Sequence, residues 1–318
     1  MQTVRLGRTD VEVSVAGLGC GGHSRLGMRH GANSEEASRV VSGALDLGVT
    51  FIDTARAYGT EEAVGLGVKG RRDQVFISTK ASPTGRGQDW NDGELITPAQ
   101  LTESLEGSLR RLGTDHVDLF NLHGVSLGQY DHCREALLPE LQRQQQAGKI
   151  RFLGITEGFG VDTRHDMLAR AVPDASFDVV MVGFNLLNPS ARYTVFPRTI
   201  GHDIGTLVMF AVRRALSHPD VLRETVSGLI DRGEVAADRV DRDDPLKFLR
   251  DHPEVASEVE AAYRFCRHEP GAHVILTGTG NIGHLKANIT AIQAPPLPAE
   301  LQAKLAEIFG AVDSVSGN

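Results

Sequence analysis

The sequence predicts an α/β fold, a closed barrel of eight parallel strands with helices between them, in a single domain spanning residues 1–318. Three observations carry that expectation. Short apolar, β-rich runs alternate with helix-competent stretches along nearly the whole chain. Three of those runs end near an ionisable group: 51–55 carries Asp53, with Tyr58 just beyond; 75–80 ends on Lys80; 117–123 ends on His123. The chain length, 318 residues with 41% hydrophobic and 23% charged, suits one such barrel and is slightly long for two small domains. In a parallel barrel all strand C-termini open on one face, so the three groups should converge there.

Taken in order, residues 3–6 and 11–13 flank Gly7-Arg8-Thr9-Asp10 and read as an N-terminal β-hairpin placed before the barrel. Residues 13–19 are the first buried strand. They run into Cys20-Gly21-Gly22-His23, where glycine permits tight turns and close approach of a ligand, Gly21 included. Ser34 reads as a helix cap with Glu35 and Glu36 in the first turn. Val40, Val41, Ala44 and Leu45 form that helix's apolar face. The strand ending at Asp53 follows, then a helix from about 60–62, then the strand ending at Lys80.

The third helix has the clearest signal. Thr97 is a good cap, Pro98 a good first residue, and Gly113 a good stop. Leu101, Leu105, Leu109 and Leu112 recur on one face. A helix is expected over 131–146, a fifth strand over 150–157, a helix over 164–172, and a sixth strand over 177–184. Residues 206–210 form the seventh strand and 274–277 the eighth, followed by a helix over 284–292. An extra C-terminal helix, 299–309, carries Leu301, Leu305 and Ile308 and should pack outside the barrel. Residues 213–250 break the repeat. Rich in Arg and Asp, they read as a surface insertion or a loop that shapes a substrate site, with one modest helix over 221–231. Trp90, between the third strand and its helix, suits either a pocket wall or a loop anchor.

The formal net charge of -8 and the lack of a basic tract argue against a nucleic-acid partner. Three widely spaced cysteines, Cys20, Cys133 and Cys266, form no disulfide framework and fit a reducing compartment. No stretch approaches the roughly 18 apolar residues of a membrane helix, and the N-terminus has no apolar leader core, so a cytoplasmic location without membrane contact is the expectation. No metal site is expected. Cys20 and His23 have no second ligand pair, and Cys266 with His268 reads as an external helix face. Oligomeric state is open.

One motif points elsewhere. Gly278-Thr279-Gly280-Asn281-Ile282-Gly283 matches the dinucleotide fingerprint of an open sheet, between a strand and a helix. Little chain follows it, and that remainder is helical, with no second strand for the required unit. At the end of the eighth barrel strand the same glycines and helix N-terminus make a phosphate site instead.

The strand-end residues suit one reaction. A tyrosine hydroxyl, with its usual pKa of about 10, needs a cation beside it to act as an acid near neutrality. Lys80 can supply the charge, Asp53 can hold Lys80, and a neutral His123 can orient and polarise a carbonyl oxygen. None of these groups can deliver a hydride, so a nicotinamide cofactor is implied, and the late glycine segment offers its pyrophosphate site.

These pieces resemble the aldo-keto reductase family across nearly the whole chain: Asp53-Thr54-Ala55 with Tyr58-Gly59, Ser78-Thr79-Lys80, Leu122-His123, Gly154-Ile155-Thr156-Glu157, Asn185-Leu186-Leu187, and the stretch from Gly278 to Asn288. The resemblance implies a (β/α)8 TIM barrel that reduces an aldehyde or ketone, or oxidises a sugar or alcohol, with NADP or NAD. It makes Tyr58 the general acid/base, supported by Asp53, Lys80 and His123. It also places Thr156 and Glu157 where the family has a Ser-Asn pair holding the nicotinamide carboxamide, and Met181 where a glutamine is common. Phe210 takes the place of the aromatic that stacks on nicotinamide. Gly278, Thr279, Gly280, Asn281, His284 and Asn288 fall around the phosphates and adenosine, with Asn288 able to reach the adenine edge. Ionised Glu157 cannot donate a hydrogen bond, and Met181 has no amide. The family favours NADPH, whereas only His284 could be cationic at the aligned positions, so the choice between the two cofactors is even. The alternative is a cofactor-binding barrel that acts as a sensor or partner-binding subunit, against which the complete tetrad argues.

Overall fold

The structure, a computed structural model, describes residues 1–85, 87–89 and 93–318; Trp90 lies outside them. Strands β1 (Thr3–Arg5) and β2 (Glu12–Ser14) form the expected antiparallel hairpin, with Val4 opposite Val13. Eight parallel strands then close a barrel: β3 (Ala16–Gly19), β4 (Phe51–Asp53), β5 (Phe76–Ala81), β6 (Val117–Val125), β7 (Ile150–Glu157), β8 (Val179–Gly183), β9 (Gly205–Met209) and β10 (Val274–Thr277), with β10 joining β3 to β9. Closure leaves no open edge in this sheet.

Period-2 alternation divides each strand between the lumen and the helical layer. Phe51, Phe76, Leu119, Val179, Met181, Leu207 and Val274 fill the lower lumen, and Leu6 and Val13 of the hairpin join them as a floor. Gly7, at a positive φ of +51, lets the hairpin turn press on β9: a Cβ there would stand 2.3 Å from the Gly205 nitrogen. Ile52, Ile77, Phe120, Leu122, Leu153 and Ile155 face outward into the larger core beneath the helices.

Helix α1 (Ser34–Asp46) is capped by Asn33 rather than Ser34. The Asn33 side chain accepts from the Glu36 N–H, and Glu36 accepts in return from the Asn33 N–H. This reciprocal pair satisfies two otherwise orphaned donors, and Ser34 lies one residue too far along to do the same. Helix α2 runs over Glu61–Gly67. Helix α3 (Pro98–Leu112) begins and ends as its sequence predicts, with Thr97 and Gln100 in a reciprocal cap and Gly113 in the left-handed conformation.

Residues 213–250 carry the expected helix, and part of the segment packs into the core. The helix Pro219–Asp231 turns Leu222, Val226, Leu229 and Ile230 inward, and Val235, Leu246 and Leu249 are also buried. The exposed Arg and Asp residues disguise this packing in the sequence. Between β9 and β10 a further helix, Glu258–Arg267, supplies the barrel's outer layer. Cys266 is therefore not on an external face. It is fully buried and donates its thiol to the Phe184 carbonyl oxygen at 3.4 Å. After the helix Ala299–Phe309 the chain returns to the mouth of the barrel. Asn188 and Asn185 donate there to the Val315 and Ser316 carbonyls, at 2.9 and 3.1 Å. Among the described residues no helix is long and apolar enough to cross a membrane.

Candidate active site

The strand ends do converge. Asp53 ends β4, and Lys80 stands near the end of β5, both with side chains in the lumen and almost wholly buried. The Lys80 ammonium donates to Asp53 Oδ1, which also accepts from the Ser78 hydroxyl at 2.9 Å. Beyond β4 the chain turns through Arg56–Tyr58 and closes on Gly59 at φ 73, a reversal that brings the Tyr58 ring back over the lumen. The Tyr58 hydroxyl and His123 Nε2 are 3.1 Å apart, and Lys80 Nζ is 5.4 Å from the centre of the tyrosine ring. Gly21 packs under that ring: a Cβ at this position would come within 2.7 Å of it. Gly21 is thus first a space left for Tyr58.

The electrostatics differ from the expectation in one respect. Loss of water, the charge of Asp53 and the neighbouring Cys20 push the Tyr58 phenol well above its usual value, despite Arg213 and Arg25 pulling the other way. Lys80 has turned its ammonium to Asp53, so the cation expected to ease Tyr58 towards ionisation is already paired. Tyr58 accordingly holds its proton. His123 is pushed well below the ordinary imidazole range by loss of water and by the charge of Lys80, which keeps it neutral.

At the end of β7 the two neighbouring side chains part. Thr156 faces the lumen side and its oxygen accepts from the Gly124 N–H at 2.7 Å, which leaves the hydroxyl proton to donate elsewhere. Glu157 follows the parity of Leu153 and Ile155 and faces outward. It accepts from His165 Nδ1 at 2.9 and 3.0 Å and from the Gly183 N–H at 2.7 Å, while His165 Nε2 meets the Ser190 hydroxyl at 3.0 Å. Met181 lies in the lumen, apolar and buried. Phe210 has a positive φ of 67 and meets Phe159 edge-on at 5.4 Å. The Arg213 guanidinium stacks over the Phe210 ring at 4.1 Å.

The late glycine loop stands apart from the tetrad, at the end of β10. Gly278 and Gly280 are pressed against backbone: added Cβ atoms would come 2.6 Å from the Gly19 oxygen and 2.5 Å from the Gly27 nitrogen. Asn281 caps the helix Ile282–Gln293 by accepting from the His284 N–H at 3.0 Å. Thr279 Oγ1 accepts from the Asn281 N–H at 3.1 Å, and the His284 side chain is exposed. Asn288 turns inward and donates to Thr277 Oγ1 at 2.8 Å. The side-chain-free glycines, an exposed helix N-terminus, the Thr156 hydroxyl and the Phe210 ring fit an extended dinucleotide.

A cavity of about 280 Å³ opens beside Lys80 and His123. Arg56, Ser82, Thr84, Gln88, Gln100, Glu103 and Ser104 bring polar groups to a lining whose surface is mainly apolar. Several residues of this region have no role in a motif-based reading: Ser78, which the matched motif includes without a function, and Asn121, Phe159 and His165. Ser78 and Asn121 had a usable signal, since each lies two positions before a tetrad residue and so shares its strand face. Phe159 and His165 had none.

Known proteins of the same kind are numerous. The aldo-keto reductase YhdN of Bacillus subtilis strain 168 is 29% identical over 308 residues, covering 90% of this chain and 87% of that protein. The L-galactose dehydrogenase of Arabidopsis thaliana is 34% identical over 183 residues, 55% of this chain and 54% of that one. An aldo-keto reductase of Bacillus halodurans, solved in its holo form, superposes with a TM-score of 0.73 at 25% identity, covering 99% of this chain and 98% of that one. The model of the aldo/keto reductase family matches residues 18–309. The chain belongs to the aldo/keto reductase family and is an NAD(P)-dependent oxidoreductase.

Proposed function

We propose that this enzyme reduces a small polar aldehyde or ketone to the alcohol, with Tyr58 as the proton donor. The observation that carries this reading is the Tyr58 hydroxyl, held 3.1 Å from Nε2 of His123, which lines the cavity together with Lys80. A carbonyl oxygen entering the cavity meets a protonated phenol and a neutral imidazole, both able to hydrogen-bond to it as negative charge develops. Tyr58 then gives up its proton, with the Lys80 ammonium, 5.4 Å from the ring centre, as the nearby cation that offsets the charge left behind.

The bound dinucleotide supplies the hydride. Thr156 would hold its carboxamide, Phe210 would face the nicotinamide, and the 278–281 loop with the following helix N-terminus would take the pyrophosphate. Glu157, engaged with His165, is left out of this set. NADP and NAD both remain candidates: a Schizosaccharomyces pombe relative, 37% identical over 154 residues, bears NADP(+) in its name, whereas cations are sparse at the late loop here. The L-galactose dehydrogenase among the relatives favours hydroxylated substrates over apolar ones.

Parallel fluorescence titrations with NADPH and NADH test the cofactor, and a panel of sugars and short aldehydes run with the tighter one tests the reaction. Micromolar binding with turnover of a hydroxylated aldehyde is the expected result. Binding of neither dinucleotide would remove the hydride source and end the proposal.

A further inference from the structure

Beneath the tetrad, in the centre of the barrel, lies a second set of polar side chains that no apolar core requires. Ser78 and Asn121 are both fully buried. The Asn121 amide donates to Ser78 Oγ at 3.0 Å and to the Thr79 carbonyl at 3.3 Å. Ser78, polarised by that contact, donates to the same Asp53 oxygen that receives Lys80. The donors therefore run in one direction, from Asn121 through Ser78 to Asp53, and a chain of this kind strengthens each bond in it.

Two further observations show that the arrangement is held in place at some cost. Asn121 Oδ1 is buried without a hydrogen-bond partner among the described residues, a penalty that leucine or valine would not carry. Room for the amide comes from Gly154 on β7: a Cβ there would lie 2.1 Å from Asn121 Oδ1. An isolated buried asparagine beside a missing side chain makes little sense as packing. As the origin of a hydrogen-bond chain ending on Asp53 it has a role.

We propose that Asn121 and Ser78 are positioning residues that fix the Asp53 carboxylate against Lys80 and so set the placement and acid–base behaviour of Tyr58. The inference rests on the assignment of Tyr58 as proton donor. Loss of the Ser78 hydroxyl concentrates the Asp53 charge on Lys80, weakens the positive field at Tyr58, and frees both groups to shift. Both residues are fully buried and outside the cavity lining, so turnover should suffer while binding does not.

The test labels the tyrosines with carbon-13 at Cζ and identifies the Tyr58 signal by its loss in Tyr58→Phe. In Ser78→Ala the Tyr58 resonance should move while those of Tyr130, Tyr193 and Tyr263 stay in place. With NADPH and DL-glyceraldehyde, kcat should fall about tenfold, the usual worth of one hydrogen bond to a charged group, with KM and the NADPH Kd within about twofold. Asn121→Leu, which keeps the volume and removes the first donor, should shift the same resonance less and in the same direction. It also serves if Ser78→Ala does not fold. A Tyr58 signal that stays put in a folded variant overturns the proposal, as does an unchanged kcat. If Tyr58→Phe itself retains turnover, the proton-donor assignment fails separately, and the resonance alone judges the relay.

Discussion

Two buried hydrogen-bonded pairs with a carboxylate member stand at the C-terminal rim of the barrel, and of the two it is Lys80 with Asp53 that borders the cavity. Lys80 with Asp53 and His165 with Glu157 are equally hidden, with side-chain exposures of 0% and 4% in the first pair and 0% in both members of the second. Each also accepts a further hydrogen bond, from Ser78 in one and from the Gly183 backbone in the other. The difference is strand parity. Asp53 and Lys80 occupy lumen positions below Tyr58 and His123, whereas Glu157 occupies an outward position and is sealed between the barrel and the 162–190 segments. Burial and a charged partner do not by themselves make a site; the side of the wall decides.

The largest effects should separate the two pairs. Lys80→Met leaves the Asp53 charge alone in the lumen and removes the support of Tyr58. Turnover should fall by about 10²–10⁴-fold, and urea unfolding should show a loss of about 3–5 kcal/mol. Tyr58→Phe should cost about the same in turnover, 10²–10⁴-fold, while leaving dinucleotide affinity nearly intact in a fluorescence titration. Turnover within twofold of the parent would remove Tyr58 from the chemistry.

Glu157→Gln should behave in the opposite way. Stability should drop by about 1–3 kcal/mol as one of the two carboxylate oxygens that meet His165 becomes an NH2 donor, with steady-state kinetics close to those of the parent. A hundredfold loss of turnover in the folded variant would put Glu157 back in the site and dissolve the comparison. Gly21→Ala is a finer probe. The methyl group would meet the Tyr58 ring, and a displacement of an ångström should lower kcat by about a hundredfold or less, with thermal unfolding nearly unchanged.

The smallest effects concern pH and cofactor choice. His123 in the folded protein lies well below its ordinary value, so its contribution to stability is complete above about pH 6.5. Below that the unfolded chain takes up a proton that the folded chain refuses. Stability should fall by at most about 1.4 kcal/mol per pH unit from this group, until His123 itself is protonated. Denaturant titrations at pH 7.5, about 6 and about 5 would show it, and His123→Gln should flatten the slope. For cofactor choice, arginine at Gly280 has no room beside Gly27. Thr279→Arg is the better variant, and should raise the preference for NADPH about tenfold in the ratio of dissociation constants.

Much of this arrangement was legible in the sequence, and the failures have physical causes. Helix α3 was exact because its cap, its proline and its stop are all local. Asn33 took the cap expected of Ser34 because both are good caps and only the return bond from Glu36 separates them. Within residues 213–250 the helix is legible in the sequence, while the surrounding charge hides how much of the segment packs inward. Glu157 matched a motif position whose family role needs a donor, and its burial against His165 depends on a residue with no recognisable spacing.

By itself the sequence determined the succession of strands and helices, the eightfold barrel, and the gathering of Asp53, Tyr58, Lys80 and His123 at one rim. Those depend on local propensity and on period-2 and period-3.6 patterning, which the chain carries along its length. Only the tertiary structure decided which groups face each other across strands. It pairs Lys80 with Asp53 and leaves Tyr58 protonated, places Ser78 and Asn121 beneath them, and sends Glu157 to the far side of the wall. Hydrogen-bond partners and loss of water are properties of the closed barrel, in which residues far apart in sequence share one small volume.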